Sequence, residues 1–287
     1  MSWIILLFPF LLISALIFSS LAGRLIFRRR VVKEVKGLFS AASPGSMIVP
    51  SDWQALPEPL QRYFGLVLPE GQVRIGSARL RFVGMMRADK NKSWMKIESE
   101  EYVSCHPPGF IWHAVAKLLP LLWIEVCDCY CGGKGNMRVL LMSLKKLASS
   151  RGRGMDQSSL LRWLSEATMF PTALLPGDHI AWKPIDSKSV KAVVRDRELT
   201  ASAIFYFDKR GAIRKVVTAD RCREVKGKPE KAVWIGYFHN YQRKGGILVP
   251  TEVGATWKLP QGNLNYARFK LVEIDYDPVL NLDNTRF

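Results

Sequence analysis

Residues 122–142 read LWIEVCDCYCGGKGNMRVLLM, and how this stretch is paired decides the fold. Two apolar-rich runs, 122–131 and 136–143, flank Gly132-Gly133-Lys134-Gly135. Glycines between two such runs mark a turn, so the segment reads as a strand, a reversal and a second strand. In a strand, Cys127, Cys129 and Cys131 point to one face, and Asp128 and Tyr130 to the other. Thiols two residues apart along a strand are about 6–7 Å apart, from a rise of about 3.3 Å per residue. Two sulfurs on one zinc ion are at most about 4.6 Å apart, so a flat strand does not present these thiols to a metal. Asn136 follows Gly135, which breaks the spacing of a phosphate-binding loop. The thiols are expected as small strand filler, with no metal and no cofactor.

The same pattern extends in both directions. Val73-Arg74-Ile75 and Arg79–Val83 alternate apolar with basic residues, as a half-buried strand does. Further strands are expected near 93–104 and 109–118, and again from Trp182 through 189–196, 199–207, 212–225, 231–242, 248–258 and 265–276. Consecutive strands without long helices between them mean antiparallel meanders. One short amphipathic helix is expected around Leu56, Leu60, Tyr63 and Phe64. One clear helix interrupts the strands at Asp156–Ala167, with Asp156 as its N-cap and Leu160, Leu161, Leu164 and Ala167 as its apolar face. The fold class is therefore mainly β (α+β). About eleven strands form a large curved antiparallel sheet or open half-barrel, with the mid-chain helix as a lid over an apolar cavity.

The N-terminus is of a different kind. Trp3–Ala22 (WIILLFPFLLISALIFSSLA) carries no ionisable side chain, and at about 1.5 Å per residue it is about as long as a bilayer's hydrocarbon core is thick. A cleaved signal peptide would place positive charge before such a run. Here Arg24, Arg28, Arg29, Arg30, Lys33 and Lys36 all follow it. The expected division is a transmembrane anchor with a basic flank over 1–27, a juxtamembrane linker over 28–52, and one curved β-sheet domain over 53–287. Positive charge on the C-terminal side orients the body toward the cytoplasm, with the extracytoplasmic face as the alternative.

Of 42 basic and 25 acidic side chains, giving a net charge of +17, residues 1–40 account for a net +5. The body is thus basic in its own right, and Arg24, Arg28, Arg29, Arg30 and Lys33 are positioned for anionic head groups. No nucleic-acid motif accompanies the charge, so anionic lipid is the nearer partner. Five cysteines, an odd number with three crowded together, do not form a disulfide framework.

Several blocks carry a resemblance that covers nearly the whole chain. They are Leu56-Pro57-Glu58-Pro59, Pro107-Pro108-Gly109-Phe110-Ile111-Trp112, Asp128-x-Tyr130-x-Gly132-Gly133-x-Gly135-x-Met137, and Leu161-x-Trp163-Leu164-x-Glu166-Ala167-x-x-Phe170 through Pro176. Together they resemble a bacterial family of unknown function whose members often carry an N-terminal anchor. The resemblance implies no activity. Strand count, the mid-chain helix and Phe207-Asp208-x-x-Gly211 are also similar to the lipoprotein-carrier fold of LolA and LolB, an open barrel plugged by helices.

These readings leave three functions. The first is a binding protein whose cavity takes a lipid or other apolar ligand, with Trp163, Leu164, Phe170, Leu174 and Leu175 as lid and Trp112, Trp182, Trp234 and Trp257 as lining. The second is a membrane-tethered hydrolase-like enzyme using carboxylates near that cavity, with Glu166, Asp178 and Asp128 as candidates. The third is an interaction scaffold with a filled core. No nucleophile elbow and no metal-binding histidine spacing is present.

Overall fold

A computed structural model describes residues 2–42, 45–120, 122–225 and 228–279, without the side chains of residues 2–10, 12, 13 and 16. Helices α1 (Ser2–Ser40), α2 (Ser51–Gln54) and α3 (Glu58–Val67) come first. Six strands follow: β1 (Ser77–Met86), β2 (Met95–Ser104), β3 (Gly109–Leu119), β4 (Leu122–Cys131), β5 (Lys134–Leu141) and β6 (Lys145–Arg151). Helix α4 (Arg153–Glu166) and two 3-10 turns lead to β7 (Ile180–Asp186), β8 (Ser189–Asp196), β9 (Leu199–Phe207) and β10 (Ile213–Thr218). The last strands are β11 (Cys222–Val225), β12 (Lys228–Lys231), β13 (Val233–Lys244), β14 (Ile247–Leu259) and β15 (Gly262–Tyr276).

Among the described residues, thirteen strands join one sheet in the order β6-β5-β4-β3-β2-β1-β15-β14-β13-β10-β9-β8-β7, and β11 and β12 form a separate hairpin. The described pairings are antiparallel throughout, and β6 does not pair with β7, so the sheet is open. It curls so far that α4 touches β3–β6 of one wing and β8 and β9 of the other. A hydrogen bond from Tyr130 Oη to Asp196 Oδ2, 2.5 Å long, joins the wings.

Helix α4 fills the concave side. Leu160, Leu161, Leu164 and Ala167 are buried as their spacing predicts, in one core with Leu60, Tyr63, Phe64 and Val67 of α3. The helix begins earlier than expected, after Gly152 at φ 100°. Asp156 therefore lies inside the first turn and does not cap it. Its Oδ1 accepts a hydrogen bond from the Gly135 N–H at 2.8 Å, which fixes α4 to the β4–β5 turn. Position 135 requires glycine, because a Cβ there would lie 2.6 Å from Ser159 Oγ and 2.7 Å from Met155 O.

The α1 backbone is helical to Ser40, through residues expected as part of a linker. Phe27, Val31, Val35 and Leu38 recur on one helical face and bury against Tyr102, Ile111 and Cys127 on the convex side of the sheet. Charged neighbours hide this stripe in the sequence. Among the described residues no helix is long and apolar enough to cross a membrane. The side chains of most of the expected span lie outside those residues.

Candidate functional site

Between α4 and the sheet lies a cavity of about 540 Å³, inside the roughly 300–1,000 Å³ range of ligand pockets. One row of it follows from strand register. Glu101 pairs with Trp112, Trp112 with Asp128, and Asp128 with Met137 across β2, β3, β4 and β5. All four line the cavity. Side chains opposite one another on neighbouring strands share a face, so the alternation in CDCYC turns Asp128 inward. It turns Cys127 and Cys129 outward, under α1. Burial pushes Cys127 up to about 12, which keeps it as a thiol.

Helix α4 and the turn after it contribute Arg162, Ser165, Glu166 and Met169, a single stripe at i, i+3, i+4 and i+7. Arg162 is the centre of the polar floor. Its three nitrogens reach Glu101 Oε1 at 2.9 Å, Asp128 Oδ2 at 2.7 Å and Glu166 Oε1 at 2.9 Å. Its guanidinium also lies 4.7 Å from the Phe110 ring centroid and 4.9 Å from that of Trp112. Burial alone would lower the arginine's pKa, but the Glu166, Glu101 and Asp128 charges overcome it and hold the group protonated.

Three carboxyl groups around one guanidinium leave a surplus of negative charge, which protonation relieves. Burial, then the neighbouring Glu166 charge, raises the pKa of Glu101 well above the carboxylate range against the pull of Arg162. A hydrogen bond between Glu101 and Glu166 favours the same protonated form. Glu166 Oε2 and Asp128 Oδ1 are buried there without a hydrogen-bond partner. Burial likewise raises Asp128, opposed by Arg162 and Arg221. Arg221 lies 4.5 Å over Trp234 and 5.8 Å from Trp257. Above this floor the walls are mostly apolar, from Phe82, Met86, Ile97, Val126, Phe238 and Phe269 among others.

A raised folded-state pKa means that the folded protein binds more protons than the unfolded chain. The stability from Glu101 is therefore complete below the ordinary carboxylate range and is lost as pH rises through the raised folded value. Glu101→Gln mimics the protonated form. The variant is expected to fold as well as the parent at low pH and to lose less stability toward neutral pH. Urea midpoints measured from pH 4 to 8 decide it, and parallel curves for the two proteins would exclude a protonated Glu101.

The expected site residues separate into three groups. Trp112, Trp234, Asp128 and Glu166 line the cavity. Trp163, Leu164, Phe170, Leu174 and Leu175 do not line it, being fully buried in the core. Trp182 packs on Phe205 at 5.1 Å and donates to Leu174 O at 3.0 Å, while Trp257 joins Trp234 and Leu264 in a separate cluster. Asp178 is exposed and lies outside the lining, on the same loop as His179, whose ring is 4.0 Å from that of His106. Trp163 donates its Nε1 hydrogen to Ser104 O at 2.9 Å. The helix is thus a plug rather than a lid. Trp163→Ala is accordingly expected to cost about 3–5 kcal/mol of stability. A melting temperature unchanged by that substitution would contradict the plug.

Glu101, Arg162 and Arg221 were not expected at the site, although one signal was available. Glu100 and Glu101 are neighbours in β2, so one of them must face inward. Both are buried, Glu100 on the convex side with Arg79 at 2.5 Å.

Comparison with other proteins gives a family and no activity. No curated protein matches the chain. Among solved structures it is similar to a LolA superfamily protein from Nitrosomonas europaea, at 11% identity, covering 77% of this chain and 93% of that one, with a TM-score of 0.37. A DUF1329 family protein from Desulfovibrio piger matches at 12% identity over 72% and 88% of the two chains, with a TM-score of 0.39. A β-barrel-like protein of a domain of unknown function, DUF1849, from Brucella abortus matches at 10% identity over 72% and 100%, with a TM-score of 0.23. The LolA-like resemblance recurs among these neighbours, but likeness at such TM-scores carries no argument about ligands. Residues 46–269 match the model of a family of unknown function, DUF6544, and the chain belongs to that family.

Proposed function

We propose that this protein is a membrane-anchored binding protein that holds a lipid or other apolar ligand in the cavity between α4 and the curled sheet. The cavity itself carries the reading. Its volume of about 540 Å³ and its predominantly apolar walls suit an acyl or isoprenoid chain. The polar floor is internally paired around Arg162, so the ligand's recognition rests chiefly on shape and apolar burial. The unbroken apolar run at residues 3–22 and the basic residues from Arg24 to Lys36 support a single-pass anchor in the cell membrane. That asymmetry favours the cytoplasmic side for the body, with Arg29 and Lys33, both exposed, available to anionic head groups.

The enzyme reading has one observation in its favour. A protonated Glu101 beside Glu166 and Asp128, at the floor of an apolar cavity, is the environment in which a carboxyl group serves as a general acid. Against it, Arg162 engages all three carboxyl groups, so none is left as an unencumbered base.

The full-length protein, purified in mild detergent, is expected to retain one lipid-sized molecule per chain in native mass spectrometry after detergent is stripped. Organic extraction then identifies its class. A bare protein mass that added bacterial lipids leave unchanged would reject the binding reading.

A further inference from the structure

The β3–β4 and β5–β6 turns lie at the same end of the sheet, since β4 and β5 pair Ile124 with Leu141 and Met142 N donates to Trp123 O at 2.9 Å. That end is unusually apolar on its outside. Leu118 is 40% exposed, Leu119 64%, Leu144 43% and Leu147 47%. Large aliphatic side chains at two adjacent hairpin tips gain nothing from water. Exposed Lys117, Lys145 and Lys146 surround them.

The N-terminal helix passes this end. Ser20 Oγ donates to Met142 O at 2.7 Å, a Cβ on Gly23 would lie 3.0 Å from Ser143 O, and Arg24 is 5.4 Å from the Trp123 ring. At its other end, Leu38 reaches Gly109, at the start of β3. Helix α1 therefore runs antiparallel to β3 and leaves the domain between residues 24 and 20, beside the two turns. Residues 3–19 continue past the sheet for about 25 Å at 1.5 Å per residue. The turns therefore stand level with Ser20 and Gly23, at the inner end of the apolar run and not beyond it. Trp123, with its Nε1 hydrogen bonded to Ser143 Oγ at 3.3 Å, lies at the same level, where tryptophan favours a bilayer's interface.

We propose that the β3–β4 and β5–β6 turns, with Leu118, Leu119 and Leu144, insert into an anionic bilayer beside α1, so that the domain is docked on the membrane rather than hanging from a tether. The proposal rests on the anchored reading of α1. It also fixes the cavity relative to the lipid. Two lining residues, exposed Ala88 and half-buried Arg87, belong to the β1–β2 turn at this same end. An apolar ligand then passes between bilayer and cavity without crossing water.

Spin labels test the depth directly. Full-length protein carrying Cys131→Ser and Cys222→Ser receives one new cysteine, as Leu119→Cys, Leu144→Cys or, at the opposite end of the sheet, Lys209→Cys. Each is reconstituted into phosphatidylethanolamine–phosphatidylglycerol vesicles. Labels at 119 and 144 are expected to collide several-fold more with oxygen than with a water-soluble nickel chelate, and the label at 209 to show the reverse. All three positions are exposed, so the substitutions spare the core. Protein that floats with vesicles after an alkaline wash but keeps 119 and 144 in water overturns the docking and leaves the anchor standing. Protein that does not float with vesicles overturns both.

Discussion

Arg162→Ala is expected to be the most destabilising single substitution in the body of the protein. The side chain is the only cation in direct contact with Glu101, Asp128 and Glu166 among the described ion pairs. Removing one member of a buried ion pair costs about 3–5 kcal/mol because the partner's charge is left uncompensated. Here three carboxyl groups lose their partner together, and the aromatic faces of Phe110 and Trp112 lose a cation. Against a typical total of about 5–15 kcal/mol, a large share of the stability is at stake. The melting temperature should fall by about 10 °C or more, by the usual scaling for domains above 150 residues. Loss of charge and loss of packing can be told apart. Arg162→Met combined with Asp128→Asn and Glu166→Gln restores neutrality and most of the side-chain volume, so it should recover much of the loss. An Arg162→Ala protein that melts with the parent would show that the floor is solvated and that the carboxyl groups need no counter-charge.

The elements legible in the sequence were those with an uninterrupted period. The two runs around Gly132–Gly135 became the paired strands β4 and β5, with β5 starting two residues early at Lys134, and Asp128 faces away from Cys127 and Cys129 as expected. The core side of α4 was legible for the same reason, since Leu160, Leu161, Leu164 and Ala167 repeat at helical spacing. What escaped was the opposite side of that helix. Glu166 was a candidate carboxylate near the cavity, but Arg162 and Ser165 carried no site reading, and sequence periodicity cannot distinguish water from a cavity with a polar floor. The most apolar and aromatic residues were therefore assigned to the ligand, although Trp163 and Phe170 are too completely enclosed to meet one. Glu101 and Asp128 come from strands separated by β3, and only the sheet's register brings them to one guanidinium. Helix α1 was hidden differently. Its buried stripe of Phe27, Val31, Val35 and Leu38 is interleaved with the basic residues that made the segment look like a membrane flank. The stripe faces the sheet, while Arg29, Arg30 and Lys33 face outward.

Ala255→Phe should abolish ligand retention while leaving the fold intact, and this contrast bears most directly on function. Ala255 pairs with Gly236 on β13 and with Ala267 on β15, and all three line the cavity. Small side chains on three adjacent strands keep that part of the space open. Enlarging a residue inside a filled core costs about 1–3 kcal/mol through forced shifts of its neighbours. A phenyl ring at 255 instead enters a cavity of about 540 Å³ and buries apolar surface there, so the melting temperature should move by only a few degrees. The ligand competes for the same volume, and its occupancy in native mass spectrometry should drop at least ten-fold. The comparison also removes an ambiguity of the wild-type experiment. Lipid that clings to an N-terminal anchor is unaffected by residue 255, whereas lipid held between α4 and the sheet is displaced. Unchanged lipid in the variant would assign any co-purified molecules to the anchor and leave the cavity without a ligand-binding role. If the ring at 255 unfolds the protein, Ala267→Leu places a smaller side chain in the same space from β15, and loss of ligand with retained folding remains the expected result.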